Sequence, residues 1–340
     1  MIRRVRGVKH ARNAASGSPM RIATKPITAL GFALTAAVVQ PLPAQHSRAA
    51  YTSSVAAISR RQAVDDSIAV PGARSILLVG GAPTARAIVL LHGLTDSPRQ
   101  FEAFAYLLHA DGNNVYVPRL PQHGLRGGNV GSLSALTAAQ LRGVADSVVN
   151  EAQGLGDSVV IVGLSMGGTI GAWIAQQRAV SRVVLIAPAI EPGRIPSMID
   201  RPLIGLADRL PPITRRSPPD SARPDREVGF NLRAVAEILE LGSSILGQAA
   251  RAASRTRDIV VLVNAADRTV RESAAEGLAR DWLQHGATVF VFELPDSLRL
   301  PHNIIDPIHG RVGGNAVLDL VRELAYGSQP AALVRPVSLR

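Results

Sequence analysis

Ser165 stands in the stretch VVIVGLSMGGTIGAWIAQQ, residues 159–177, where a run of β-branched residues gives way to a helical pattern. The core GLSMG fits G-x-S-x-G, in which a sharp strand-to-helix turn lifts a serine hydroxyl clear of a sheet edge. Gly163 and Gly167 suit that turn because a side chain at either place would meet neighbouring backbone. A helix opening at Met166 would aim its N-terminal amides at the same spot and favour developing negative charge. The chemistry such a turn serves is nucleophilic attack by the hydroxyl. A glycine-rich turn with a merely capping serine is the plainer use of the same residues.

Two absences narrow the chemistry. The chain has no cysteine, and its two lysines, Lys9 and Lys25, both lie near the start. The body therefore has no thiolate, no Schiff-base amine and no P-loop lysine. Serine, histidine and carboxylates remain. The net charge of +11 is mostly a property of the first 44 residues, which hold seven of the 37 Lys and Arg and no acid, leaving 30 basic residues against 26 acidic ones. With aromatics at 4%, neither a stacking platform nor a strong electrostatic footprint for nucleic acid is present.

The elements that must position Ser165 follow from hydrophobic patterning. Residues 1–44 read as an export signal: a basic stretch, the uncharged run ITALGFALTAAVV at 27–39, and small Ala44 before a cut near Gln45. The run is short for a membrane span, Met20 offers a more compact start, and an N-terminal membrane anchor is the alternative. Periplasmic or secreted placement is the corresponding expectation. A polar connector is expected over 45–73. Beyond it, apolar runs (SILLVG, RAIVLLH, NNVYVP, SVVIVG, RVVLIAP, DIVVLVN, ATVFVFEL) alternate with helical patterns at 98–110, 133–153, from Met166, at 271–284 and at 314–325. Such alternation predicts an α/β fold with a mostly parallel central sheet covered by helices on both faces, its site beyond the carboxyl ends of the strands. One domain over 74–326 is expected, with a tail at 327–340. An interruption at about 190–256, rich in Pro and Arg and then helical, reads either as a cap or lid or as a solvated excursion.

The segment VLLHGLTDSPRQF, an apolar strand ending in His92-Gly93, joins GLSMGG in resembling the α/β-hydrolase superfamily, and within it the carboxylesterase and monoacylglycerol-lipase-like group. The resemblance covers roughly 76–325. It implies that the backbone amides of Leu94 and Met166 form an oxyanion hole, that His92 braces its loop, and that His123 in VPRLPQHGL does the same or lines the site. The superfamily carries its serine, acid and histidine in that chain order. Asp267 in DIVVLVNAADRTV matches the acid, with a helix cap as its plainer use; Asp258, at the other end of that strand, does not. His302 in LPDSLRLPHNIIDP matches the histidine, although Leu300-Pro301 departs from the usual approach. His302, Asp306 and His309 share helical spacing, but Pro307 argues against a continuous helix and so against a metal site.

The resemblance thus implies hydrolysis of small-molecule carboxylic esters through an acyl-enzyme on Ser165, with Asp267 and His302, no cofactor and no metal. Ile238 and Leu239 lie on the apolar side of the insertion's helical half, which either packs against the core or lines an acyl groove; the groove is the role expected of these two. A serine peptidase, amidase or acyltransferase would use the same residues, and a non-catalytic ligand-binding relative would share the fold.

Overall fold

Long β-branched and aliphatic runs have few ways to bury both faces, and here they build one central sheet. The structure, a computed structural model, describes residues 47–193, 214–216, 225, 229–306, 314–328 and 333–339. The leader, His309 and most of the first half of the insertion lie outside the described residues.

The strands are β1 (Ile76–Leu78), β2 (Ala87–Leu91), β3 (Asn114–Val117), β4 (Val159–Leu164), β5 (Arg182–Ile186), β6 (Thr214–Arg216), β7 (Gly229–Asn231), β8 (Asp258–Asn264), β9 (Thr288–Leu294) and β10 (Arg335–Pro336). The main sheet has eight strands in the order β1-β3-β2-β4-β5-β8-β9-β10, and β6 and β7 pair separately in the insertion. From β3 to β9 every neighbour is parallel, while β1 and β10 are antiparallel edges. Strand alternation sorts the side chains into two cores: Val89, Ile161, Leu185 and Val261 face one, Leu90, Val162, Val184 and Leu262 the other. β4 lies near the middle, so the turn that follows it opens in the centre of the sheet's carboxyl edge.

The helices are α1 (Arg48–Ile68), α2 (Glu102–Ala110), α3 (Ala138–Ala152), α4 (Met166–Gln177), α5 (Leu232–Ala249), α6 (Glu272–Gln284) and α7 (Gly314–Tyr326). Residues from α3, α4, α5 and α6 fill the first core, and residues from α2 and α7 the second. None of the described helices is long and apolar enough to cross a membrane. α3 begins at Ala138, five residues later than the helical spacing predicts. Thr137 and Gln140 form a capping box there, and Ser132–Ala135 form a separate 3-10 turn.

Three expectations change. Residues 48–68 of the expected connector form α1, whose buried stripe is Tyr51, Ser54, Ile58 and Asp65. Half of that stripe is polar, so hydrophobic periodicity does not display it; its polar members are paired with the body, as in the Gly154 N–H to Ser54 Oγ bond of 3.2 Å. Arg61 extends the attachment, donating to Glu151 Oε1 on α3 at 2.8 Å. The expected tail contributes β10, paired with β9. The helical half of the insertion, α5, packs on α4, α3 and α6 as a core helix. Ile238 is buried in the first core at 3% exposure, and Leu239 is buried at 8%. The apolar side of α5 meets the equally apolar outer face of α4, which a sequence pattern cannot distinguish from a ligand.

Candidate active site

The carboxyl edge gathers the residues singled out above. Ser165 follows β4 directly and has φ +57° and ψ −116°, a conformation side chains rarely adopt. Its backbone is locked: the N–H donates to Ile186 O at 2.9 Å, and the carbonyl accepts from Thr169 N–H at 2.9 Å and Ala189 N–H at 3.2 Å. The flanking glycines are required by space. A Cβ on Gly163 would lie 2.2 Å from Gly167 O, and one on Gly167 would lie 1.9 Å from Leu91 O, below contact distance to rigid backbone. Although Ser165 occupies the N-cap position of α4, its side chain makes no capping hydrogen bond. The hydroxyl is therefore not used as a cap.

Asp267 hangs on the turn after β8. Its Oδ1 accepts from Thr269 N–H at 2.7 Å, and its Oδ2 lies 2.5 Å from His302 Nδ1, which the loop after β9 delivers. It does not cap α6, whose N-cap position is Arg271. Burial by itself raises the Asp267 pKa, but the bonds and charge of His302 and the Thr269 N–H outweigh it and hold the carboxyl below its usual value of 3.8. Asn264, at the end of β8, steadies both partners. Its Oδ1 accepts from Ala266 N–H at 3.2 Å, and its Nδ2 donates to the carbonyls of Leu300 and Pro301 at 3.0 and 3.1 Å. His302 Nε2 is buried and has no hydrogen-bond partner, Ser165 included. Asp258, at the far end of β8, pairs with Arg182 at 2.5 Å. Among the described residues no cluster of three or more His, Asp or Glu is arranged to hold a metal ion.

The loop after β2 lies against Ser165: a Cβ on Gly93 would be 3.6 Å from the Ser165 Cβ. Two histidines cross-brace this loop and the loop after β3. Leu120 N–H donates to His92 Nε2 at 3.2 Å, and Thr95 N–H donates to His123 Nε2 at 3.2 Å. A backbone N–H can only donate, so both rings carry their proton on Nδ1. Those protons go to Gly93 O at 2.9 Å and Pro121 O at 2.7 Å. Because a trans peptide is planar, holding the Gly93 carbonyl fixes the Leu94 N–H in the opposite direction. That N–H donates to no acceptor among the described residues. Met166 is the first residue of α4, so its N–H has no carbonyl one turn back within the helix. Gln100 accepts from Gly93 N–H at 2.8 Å and donates to Asp96 Oδ2 at 3.0 Å, and Asn303 reaches the same oxygen at 3.5 Å. His302 and the loop carrying Leu94 are thus tied together through their neighbours. Asn264, Gln100 and Asp96 were not foreseen; a polar residue ending the apolar run DIVVLVN is the one signal that marks Asn264.

The profile of a family described as "Alpha/beta hydrolase family" matches residues 88–301, from β2 to the residue before His302. The chain belongs to the alpha/beta hydrolase family. Among solved alpha/beta hydrolase structures, one of the metagenome-derived lipolytic enzymes LipS and LipT superposes with a TM-score of 0.57 at 20% identity, covering 76% of this chain and 98% of that one. The monoacylglycerol lipase of Paleococcus ferrophilus gives 0.54 at 17% identity, covering 75% and 98%. A soluble variant of monoglyceride lipase from Saccharomyces cerevisiae, solved with a substrate analog, gives 0.57 at 14% identity, covering 76% and 94%. At these identities the likeness is one of fold. No curated protein sequence matches the chain.

The bracing of this alpha/beta hydrolase has a pH signature. Complete burial, aided by the Arg119 charge and opposed by the Pro121 bond, lowers the His123 pKa from 6.5 to about 4. The folded state then binds fewer protons than the unfolded chain between those values, so stability falls as pH drops from 6.5 to about 4. The loss assignable to His123 is about 3 kcal/mol by linkage. Urea denaturation at pH 7 and pH 4.5 should show it, and His123→Gln should flatten that part of the dependence; an unchanged slope would count against the neutral buried ring.

Proposed function

We propose that this chain is a serine hydrolase of carboxylic esters. The observation that carries the proposal is the His302–Asp267 pair, with Nδ1 on the carboxylate at 2.5 Å and a buried Nε2 left without a partner, on the same edge as an uncapped Ser165. His302 takes the hydroxyl proton as Ser165 attacks the ester carbonyl, and Asp267 fixes the tautomer and stabilises the imidazolium. The Leu94 and Met166 amides receive the oxyanion. His302 then passes the proton to the departing alcohol, and water repeats the cycle on the acyl-enzyme. The nucleophile–base bond is made in the substrate complex, as catalytic bonds in free enzymes often are longer.

The choice of esters rests on the lipolytic and monoacylglycerol-lipase relatives of like fold. The deciding experiment is turnover by the purified protein of p-nitrophenyl esters of graded acyl length beside an aminopeptidase anilide, with fluorophosphonate labelling of the same sample. Ester turnover with labelling of Ser165 is expected. Turnover of the anilide alone would replace the ester reading by a peptidase one, and failure to label would point to a ligand-binding role.

A further inference from the structure

Asp65 sits in the last turn of α1, ahead of the matched family region, and is charged yet only 1% exposed. Both of its carboxylate oxygens accept hydrogen bonds. Oδ2 accepts from the Ser75 N–H at 2.9 Å and the Ser75 hydroxyl at 2.6 Å, and Oδ1 accepts from Arg119 Nε at 2.8 Å. Ser75 Oγ accepts in turn from the Arg119 N–H at 2.8 Å, and Arg119 Nη1 donates to the His123 carbonyl at 3.0 Å. The neighbouring backbone is joined as well: Arg126 N–H to Ile68 O at 2.7 Å, Val70 N–H to Gly124 O at 2.8 Å, and an antiparallel bridge between Ala69 and Leu125. The end of α1 is thereby fastened along the loop that carries His123.

That loop holds the Thr95 amide, and Thr95 has φ +67°. A β-branched residue in the left-handed region is unfavourable and persists only where its surroundings over-determine it. Burying a carboxylate and a guanidinium is costly, and well-packed apolar residues would cover a helix end at least as stably. What the pair adds is direction, because the planar guanidinium presents its donors in a fixed fork. One arm meets Asp65 and the other the His123 carbonyl.

We propose that Asp65 and Arg119 are positioning residues for the oxyanion-binding loop. The carboxylate aims Arg119 at the His123 carbonyl, the guanidinium sets the His123 ring, the ring holds Thr95, and the Leu94 amide next to it keeps its direction. α1 is then a working part of the site although it precedes the matched family region. This rests on the ester-hydrolysis reading above.

The test uses the full chain and p-nitrophenyl acetate, with active sites counted by fluorophosphonate labelling and folding followed by circular dichroism. In Asp65→Asn the Ser75 N–H and hydroxyl keep the amide oxygen, so the NH2 faces Arg119 Nε, donor against donor, which breaks the aim while keeping the shape. A misplaced oxyanion donor acts on the transition state, so kcat per labelled site should fall about tenfold or more, with KM within about threefold. A scaffold role would reduce the labelled fraction and the melting temperature and leave kcat per site unchanged, and that result overturns the proposal. Should Asp65→Asn not fold, Arg119→Lys decides in the same way: it keeps the charge at Asp65 and loses the fork to His123, in a side chain 11% exposed. Absence of labelling and turnover in the unaltered protein would instead remove the esterase reading, and is seen before any variant is made.

Discussion

Ser165→Ala is expected to abolish fluorophosphonate labelling and to lower ester turnover by at least about a thousandfold, leaving only what the oxyanion amides and binding supply. The fold should survive the change. The hydroxyl makes no capping bond to α4, and alanine bears the φ of +57° no worse than serine does. The bonds that hold the turn come from the Ser165 N–H and carbonyl, both of which remain. Mass spectrometry of the labelled protein, steady-state kinetics and a thermal melt check the three parts together. Labelling retained in the folded variant would place the nucleophile elsewhere.

Asp267→Asn should be nearly as damaging, for a reason that lies in proton bookkeeping rather than in shape. The Thr269 N–H demands an acceptor at Oδ1, so an asparagine there keeps its oxygen toward Thr269 and turns its NH2 toward His302 Nδ1. A donor facing Nδ1 forces the ring proton onto Nε2, where the base must be free. Turnover at neutral pH should fall about 10³- to 10⁴-fold, with KM changed little. Because the Asp267 pKa is depressed, its pairing stabilises the fold above pH 3.8 and that contribution is lost as pH falls further. The variant should therefore also lose the part of the acid-unfolding transition that lies below pH 3.8. A loss of less than tenfold in kcat/KM would show that Asp267 does not set the tautomer.

Features enforced locally were legible in the sequence. Ser165 between Gly163 and Gly167 needs only a strand, a turn and a helix in succession, and the clashes that exclude other residues at both glycines arise between segments the pattern already names. The alternation of apolar runs and helical patterns likewise specified a parallel sheet with its site at the carboxyl edge, since buried parallel strands must be apolar on both faces. Asp267 and His302 were marked by their order after late strands and by resemblance, not by any contact that a separation of 35 positions could reveal.

Tertiary structure decided the rest. It joined Asp267 to His302, fixed the proton of His92 and His123 on Nδ1, and turned each ring against the other loop's backbone, because hydrogen-bond partners distant in sequence leave no periodic trace. It made 48–68 a helix seated by a stripe that mixes Tyr51 and Ile58 with Ser54 and Asp65, whose burial is compensated by polar partners rather than by hydrophobicity. It also placed Ile238 in the core, since an apolar helix face meets an apolar helix or an apolar ligand with the same residues.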